Sequence, residues 1–349
     1  GIHFNYSFSL EFWDSYQKTI TSESKLDSKR FISRHYMALT RNVLRYGWLV
    51  TYLFGASASV CKSFMQDYND HKLEEFDDNT LYLPYATSLR MGDIGYQNSQ
   101  EDNKGVKANY NSLRHYIYSL RAAMQTNCED CEAIGLKKDG EYLQLNTNIL
   151  QIANEYYSSV RPKPIINGSD RPLGVLLNRG VGYIELRSLD VNPLIKDGID
   201  EEQVQFLESF MLFCLLEDSP VISSSEINEI DLNSSLVAHR GREPGLKLMQ
   251  KGKELNLKNW GESILNKIHE CSALLSEAHQ RSVKQISDRI INPDLTPSAQ
   301  MLNEMKLQEQ GFFEYTDQFS HKYQKIFKNM KISDGYFSEL DRLRMLSNE

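Results

Sequence analysis

The sequence predicts an α+β protein in which a sheet-containing core precedes a helical C-terminal third. Residues 2–7 and 183–189 alternate between apolar and polar side chains, which is typical of strands that bury one face. Over residues 257–293, apolar side chains recur instead at the spacing of an amphipathic helix. We therefore expect the core over residues 1–256 and the helical region over residues 257–349, together forming a single domain.

The other elements follow from periodicity and from the positions of glycine and proline. Helices are predicted over residues 33–54, 109–125, 200–216, 257–292 and 312–327, with a further helix start at 296–297. Strands are predicted over residues 2–7, 81–85, 142–153 and 183–189. Residues 161–164 must be extended, because a residue that precedes proline avoids the helical region.

Composition narrows the class of protein. The chain has 349 residues, of which 25% are charged and 40% hydrophobic, as in ordinary globular domains. A formal net charge of -8 argues against nucleic acid or an anionic membrane as the main partner, because both are negatively charged. The apolar run over residues 46–60 is too short and too interrupted to span a bilayer, and we expect no signal peptide. These features predict a cytoplasmic protein.

The cysteines support the same location. The chain has five, scattered along its length, which suits a reducing compartment better than a disulfide framework. Cys128 and Cys131 form a C-x-x-C motif, but no second pair or suitably spaced histidine follows it. The sequence alone therefore does not favour a zinc or redox role for this pair.

The segment 181–190 is the most informative part of the chain. In a strand, Tyr183, Glu185 and Arg187 lie on one face, and Ile184 and Leu186 point the other way into a core. A carboxylate beside a guanidinium can hold a metal ion and a phosphoryl oxygen together, which is the equipment of phosphoryl transfer. The alternative is a structural ion pair on a solvated face.

Several blocks in this order resemble the bacterial glutamate–cysteine ligase family. The main blocks are GIHFNYS at 1–7, YLPYATSLR at 82–90, GY at 95–96, NEYY at 154–157, RPK at 161–163 and YIELRSLDVNP at 183–193. Three shorter blocks are LFGAS at 53–57, SSSE at 223–226 and NPDLT at 292–296. The resemblance runs from residue 1 to about residue 310, and the common order of the blocks makes coincidence very improbable.

The resemblance implies ATP-dependent joining of the L-glutamate γ-carboxylate to the L-cysteine amine, the first step of glutathione synthesis. It implies Mg²⁺ or Mn²⁺ as cofactor and a mainly antiparallel sheet curved into a funnel, similar to that of glutamine synthetases and guanidino kinases. The chemistry agrees, because a carboxylate must first become an acyl phosphate before an amine attacks it. Two alternatives stay open: a sister ligase that uses another amine, and a non-catalytic binding module that keeps the motifs.

Some site residues match the family's metal and phosphate ligands. Glu185 matches a metal-ligating carboxylate, and Arg187 matches the guanidinium that contacts the transferring phosphoryl group. His3 matches a further metal ligand, although magnesium generally prefers oxygen, and Asn5 on the same face is a weaker candidate. Lys163 is a weak candidate for a nucleotide phosphate, since a surface lysine in a proline-rich loop explains it equally well.

The substrate residues come from the same resemblance. Arg90 matches an arginine of the amino-acid site, where it would clamp an α-carboxylate. Tyr96 and Tyr157 match tyrosines that line the cysteine pocket, where phenolic hydroxyls can bind a carboxylate.

The start of the chain gives one further expectation. Alternation begins at once, with no initiator methionine and no turn signal. We therefore expect residues 1–349 to be a catalytic domain truncated at its N-terminus. Family members carry further metal-binding carboxylates on the preceding segment, so we expect residues 1–349 alone to be inactive.

Overall fold

A computed structural model of the chain describes residues 1–20, 23, 25–65, 73–95, 107–166, 168, 170–331 and 334–347. Within these ranges the protein combines many helices with small antiparallel sheets, which confirms the α+β class. No helix in the described part is both long and apolar enough to cross a bilayer.

The helices are numbered here in chain order. They are α1 (Leu10–Thr19), α2 (Ser28–Tyr46), α3 (Trp48–Phe54), α4 (Leu113–Ala123), α5 (Glu129–Ile134), α6 (Pro172–Arg179), α7 (Glu201–Leu216), α8 (Ser224–Arg240), α9 (Leu257–Ser272), α10 (Glu277–Ile291), α11 (Pro297–Gln308), α12 (Phe312–Asn329) and α13 (Asp334–Ser347). Beyond residue 257 the described chain contains helices and no strand, as expected.

The strands form four small sheets within the described residues. They are β1 (Ile2–Tyr6), β2 (Ser59–Cys61), β3 (Glu74–Glu75), β4 (Thr80–Tyr82), β5 (Lys137–Lys138), β6 (Glu141–Tyr142), β7 (Val160–Lys163), β8 (Tyr183–Leu189), β9 (Lys247–Gln250) and β10 (Lys253–Asn256). Their orders are β1-β8-β7, β2-β4-β3, β5-β6 and β9-β10. A single sheet curved into a funnel is therefore not confirmed.

The β1-β8-β7 sheet positions the candidate site. Both neighbours run antiparallel to β8, and the register places Asn5 and Arg161 opposite Glu185 on either side. Ile184 and Leu186 are fully buried, which confirms the predicted inward face of β8. Since side chains alternate along a strand, Glu185 and Arg187 occupy the other face.

The main core lies behind this sheet. Helix α7 packs against α2, α9 and α10 and buries Phe206, Phe210 and Phe213 among them. Its start is fixed by Asp200, whose carboxylate accepts a hydrogen bond from the backbone N–H of Gln203, as expected for an N-cap.

Two predicted helices are divided in the structure. The helix predicted over 33–54 begins earlier, at the Asp27 cap, and is broken at Gly47. A Cβ at Gly47 would lie 2.4 Å from the carbonyl oxygen of Val43, so only glycine allows this close approach. The helix predicted over 257–292 is two helices, and the hydroxyl of Ser276 caps the second by accepting from the His279 N–H.

The strand predicted over 142–153 is wrong. Tyr142 and Leu145 are more than 70% exposed, so the weak alternation has no buried face to stabilise it. Gln144 and Asn148 instead donate side-chain hydrogen bonds to backbone carbonyls, including that of Cys131 at 2.6 Å. Such local bonds compete with strand pairing, and they fold this segment as a compact loop.

Candidate active site

Glu185 is the centre of a charged cluster on the face of β8 opposite Ile184 and Leu186. The residue is 8% exposed, and Nδ1 of His3 lies 3.3 Å from its Oε1. Its other oxygen, Oε2, lies 3.4 Å from Nη1 of Arg187 and 3.9 Å from Nζ of Lys163. These partners come from β1, β8 and β7, so the sheet register brings together four residues selected from the sequence.

Arg161 belongs to the same cluster, although the sequence analysis assigned it no role. It pairs with Glu185 in the β7–β8 register, is 5% exposed, and donates through Nη2 to the carbonyl of Asn154 at 3.1 Å. Burial lowers the pKa of its guanidinium, and the positive charge of Arg187 lowers this pKa further. Its position two residues before Lys163 on one strand was the signal that could have identified it.

The cluster has an excess of positive charge. Arg161, Arg187 and Lys163 face one carboxylate, that of Glu185. Among the described residues, the Nε atoms of Arg161 and Arg187 are buried and have no hydrogen-bond partner. Buried donors normally find an acceptor, so this arrangement suits an anionic group with several oxygens.

His3 lies at the edge of the cluster, with a side chain that is 48% exposed. Desolvation lowers the pKa of its imidazole, and the charge of Arg187 lowers this pKa further, while Glu185 opposes both effects. The lowered pKa favours the neutral ring, which is the form that can bind a metal ion.

The described residues fit a divalent cation only in part. They contain no group of three or more His, Cys, Asp and Glu side chains arranged to hold a metal. Glu185 supplies one carboxylate and His3 one imidazole. Magnesium needs six ligands and prefers oxygen, so this pair completes a site only together with phosphate oxygens and water.

A second ion pair lies at the end of β8. Arg90 donates through Nε to Oδ1 of Asp190 at 2.6 Å, and its Nη atoms lie 3.4 Å from the carbonyl oxygen of Arg187. Asp190 is 3% exposed and also accepts from the backbone N–H of Ala56 and the hydroxyl of Ser57, both at 2.8 Å. Asp190 lies in the block at 183–193 but was not predicted to have a role, and the structure identifies it as the residue that orients Arg90.

Tyr157 lies between the charged cluster around Glu185 and the Arg90–Asp190 ion pair. Its hydroxyl accepts from Nη1 of Arg90 at 3.4 Å, and its ring centroid lies 5.5 Å from Cζ of Arg187. The structure therefore brings Arg90, Tyr157 and Arg187 together, and their roles in substrate binding stay predictions. Tyr96, the second predicted pocket tyrosine, lies outside the described residues.

A cavity of about 410 Å³ opens beside Tyr157. Its walls include Met91, Ser159 and Ser188, and the hydroxyl of Ser188 is buried without a partner in the described structure. A larger cavity of about 930 Å³ lies elsewhere, between α2, α8 and the β9–β10 hairpin, and no residue of the charged cluster lines it. Volume alone therefore does not locate the site.

Comparison with known proteins decides the family. The family model described as glutamate-cysteine ligase matches residues 1–237. The chain belongs to the glutamate–cysteine ligase family. The predicted resemblance is thereby confirmed. The matched range contains β1, β7 and β8, the charged cluster around Glu185 and the Arg90–Asp190 ion pair.

Individual family members are similar to this chain over nearly all of its length. The glutamate–cysteine ligase of Pseudomonas paraeruginosa is 42% identical over 333 residues, which are 94% of this chain and 62% of that protein. The enzyme of the same name from Janthinobacterium is 37% identical over 357 positions, covering 100% of this chain and 67% of that protein. The chain thus spans less than two thirds of the length of the Pseudomonas relative.

Solved structures give the same fold. A crystal structure of the Francisella tularensis glutamate–cysteine ligase in complex with AMP has a TM-score of 0.88 and 29% sequence identity, over 97% of this chain and 66% of that one. A bifunctional glutathione synthetase from Pasteurella multocida has a TM-score of 0.68 at 20% identity, over 93% of this chain and 36% of that one. The latter supports the fold alone.

Proposed function

We propose that the protein uses ATP to join the γ-carboxylate of L-glutamate to the amino group of L-cysteine, the first step of glutathione synthesis. The observation that carries this proposal is the cluster around Glu185, in which Arg161, Lys163 and Arg187 surround one carboxylate on a single sheet face. Such an excess of fixed cations suits a transferring phosphoryl group. The family's AMP-bound member supports a nucleotide at this fold.

The reaction takes two steps. The glutamate γ-carboxylate attacks the γ-phosphorus of ATP, which forms an acyl phosphate and releases ADP. The cysteine amine then attacks the acyl carbon, which forms the amide and releases phosphate. Arg187 acts in the first step, because its planar guanidinium pairs with two phosphoryl oxygens as their charge develops. Arg161 and Lys163 add positive charge around the same oxygens.

In this proposal the amine substrate binds beside the Arg90–Asp190 ion pair and Tyr157. Arg90 is held by Asp190 through Nε, and its Nη1 lies 3.4 Å from the Tyr157 hydroxyl, where the guanidinium would bind an α-carboxylate. The nearby 410 Å³ cavity has room for a small side chain. Tyr96 remains the predicted second tyrosine of this pocket.

A divalent cation, Mg²⁺ or Mn²⁺, completes the proposal. Glu185 and a neutral His3 would supply two ligands, and such an ion neutralises phosphate charge when it is bound. We further propose a cytoplasmic location, since the five cysteines are scattered along the chain and do not form the pattern of a disulfide framework.

Product analysis tests this function and separates it from a ligase that uses another amine. The full-length protein is incubated with glutamate, ATP, MgCl₂ and an equimolar mixture of cysteine, serine, alanine and 2-aminobutyrate. We expect γ-glutamylcysteine as the main amide product, with one ADP formed per amide. A different γ-glutamyl amide as the main product would establish the sister ligase, and the absence of any ATP-dependent amide would support the non-catalytic module.

A further inference from the structure

The chain makes a compact turn over residues 90–95, directly after the segment that positions Arg90. The backbone N–H of Gly95 donates to the carbonyl of Gly92 at 3.2 Å. A Cβ at Gly95 would overlap the carbonyl oxygen of Arg90, so only glycine lets the chain fold back onto this carbonyl. The position of Arg90 is therefore linked to that of the whole 90–95 turn through the backbone.

His239, near the C-terminus of α8, lies against this turn. Its Nε2 lies 2.7 Å from Oδ1 of Asp93. A Cβ at Gly92 would overlap the same Nε2, so the imidazole packs directly on the backbone of the turn. At the other side of the ring, Nδ1 lies 3.4 Å from the hydroxyl of Ser235, one helical turn earlier in α8. The imidazole thus connects α8 to the 90–95 turn.

The same end of α8 also holds the chain just before Arg90. The backbone N–H groups of Thr87 and Ser88 both donate to the carbonyl of Ala238, at 2.9 and 3.2 Å. These two bonds precede Arg90 in the chain, whereas the contact of the imidazole with Asp93 follows it. Helix α8 therefore holds the arginine-bearing segment at two points, one on each side of the arginine.

The 90–95 turn also shapes the cavity of about 410 Å³ that we assign to the amine substrate. Met91, Gly92 and Asp93 line this cavity together with Tyr157. The Tyr157 hydroxyl lies 3.7 Å from the sulfur of Met91, so a shift of the turn changes the space beside this tyrosine. Asp93 also lines a second cavity of about 430 Å³, which His239 lines as well. The imidazole therefore supports the cavity wall from the side of the second cavity.

We propose that His239 is a positioning residue for the amine substrate. Through Asp93 it holds the 90–95 turn where Arg90 binds the α-carboxylate and where the cavity fits the side chain of the amine. This inference rests on the proposed function, in which the amine binds beside Arg90 and Tyr157. Phosphoryl transfer takes place at the charged cluster around Glu185, so loss of the imidazole is expected to weaken cysteine binding and to leave the glutamate-dependent step nearly unchanged.

Steady-state kinetics of the full-length protein test this role. His239→Ala is expected to raise the KM for cysteine about fivefold, and to change kcat and the KM for glutamate by less than about twofold. His239→Gln keeps an N–H donor near the position of Nε2 and is expected to restore most of the cysteine affinity. Asp93→Ala is expected to act as His239→Ala does. His279→Ala is the matched control, since its Nε2 also lies 2.7 Å from a carboxylate oxygen, that of Glu208.

A double variant carrying both His239→Ala and Asp93→Ala tests whether the two residues act through one contact. If they do, its KM for cysteine is no higher than that of either single variant. Asp93 is 45% exposed, so Asp93→Ala provides the same test if His239→Ala does not fold. An unchanged KM for cysteine, equal losses for glutamate and cysteine, or additive effects in the double variant would overturn the positioning role alone. Absence of any γ-glutamyl amide from the wild-type protein would overturn the proposed function, and this inference with it.

Discussion

Arg90 donates through Nε to Oδ1 of Asp190 at 2.6 Å, and the two residues are 100 positions apart in the chain. The other oxygen of Asp190, Oδ2, accepts hydrogen bonds from the backbone N–H of Ala56 and the hydroxyl of Ser57, just after the end of α3. One buried carboxylate therefore joins three segments and fixes the arginine that we place in the amine site. The stability of this region and the orientation of Arg90 depend on the same group.

Replacing Asp190 by alanine is expected to destabilise the protein by about 3 kcal/mol, because it leaves Arg90 and two further donors without their acceptor. Urea denaturation followed by circular dichroism measures the change. Asp197→Ala is the matched control, since its carboxylate is 54% exposed and pairs with Lys196 at 3.6 Å on the surface. Equal, small losses in both variants would show that Asp190 does not organise this region.

Replacing Arg187 by alanine is expected to lower kcat by a factor of roughly 100 or more, because the lost charge complements the transferring phosphoryl group. Arg187→Lys is expected to recover little, since an ammonium group cannot replace the two-pronged guanidinium. Steady-state ADP formation measures both. Arg34→Ala, which removes an arginine that is 66% exposed, serves as the control. A change in the KM for cysteine alone would exclude the role assigned to Arg187.

Tyr157→Phe is expected to raise the KM for cysteine by about fivefold, which corresponds to roughly 1 kcal/mol for one lost hydrogen bond. ATP turnover with glutamate and without cysteine is expected to change little. Tyr118→Phe, at a tyrosine that is 55% exposed, is the matched control. Tyr96→Phe is expected to act as Tyr157→Phe does. Equal losses in glutamate and cysteine affinity would remove Tyr157 from the amine pocket.

The electrostatics around His3 give a prediction for the metal-free protein. Its pKa is expected below the usual value of 6.5, because desolvation and Arg187 both disfavour the protonated ring. Removing the positive charge with Arg187→Ala is expected to raise this pKa, and removing the negative charge with Glu185→Gln is expected to lower it. NMR titration of the His3 ring protons measures both directions. Shifts of the opposite sign would show that His3 does not lie beside these two charges.

The sequence predicted β8 well because alternation reports directly on which face a strand buries. Ile184 and Leu186 are buried, and Glu185 and Arg187 share the other face as expected. The same rule failed over 142–153, where alternation was weak and side-chain hydrogen bonds to the backbone determine the local fold. The break at Gly47 depends on the carbonyl of Val43 one turn earlier, a contact that periodicity does not describe.

The site was predictable only in part for a related reason. Residues two apart on one strand, such as Glu185 and Arg187, can be paired from spacing alone. The Arg90–Asp190 pair and the approach of Tyr157 to both arginines depend on tertiary packing, so Arg90 and Tyr157 were found only through the family resemblance. Arg161 was missed because a buried arginine followed by proline looks like an ordinary loop residue until the β7–β8 register is known.

Isotope transfer tests the central claim, phosphorylation of a carboxylate at the Glu185–Arg187 cluster, most directly. The full-length protein is supplied with ATP, Mg²⁺, cysteine and glutamate that carries ¹⁸O in its γ-carboxylate, and the released phosphate is analysed by mass spectrometry. We predict one ¹⁸O atom in each phosphate and a loss of phosphate release in Arg187→Ala that matches its loss of amide. Amide formation with unlabelled phosphate would contradict an acyl phosphate, and full phosphate release by Arg187→Ala would contradict the assigned site.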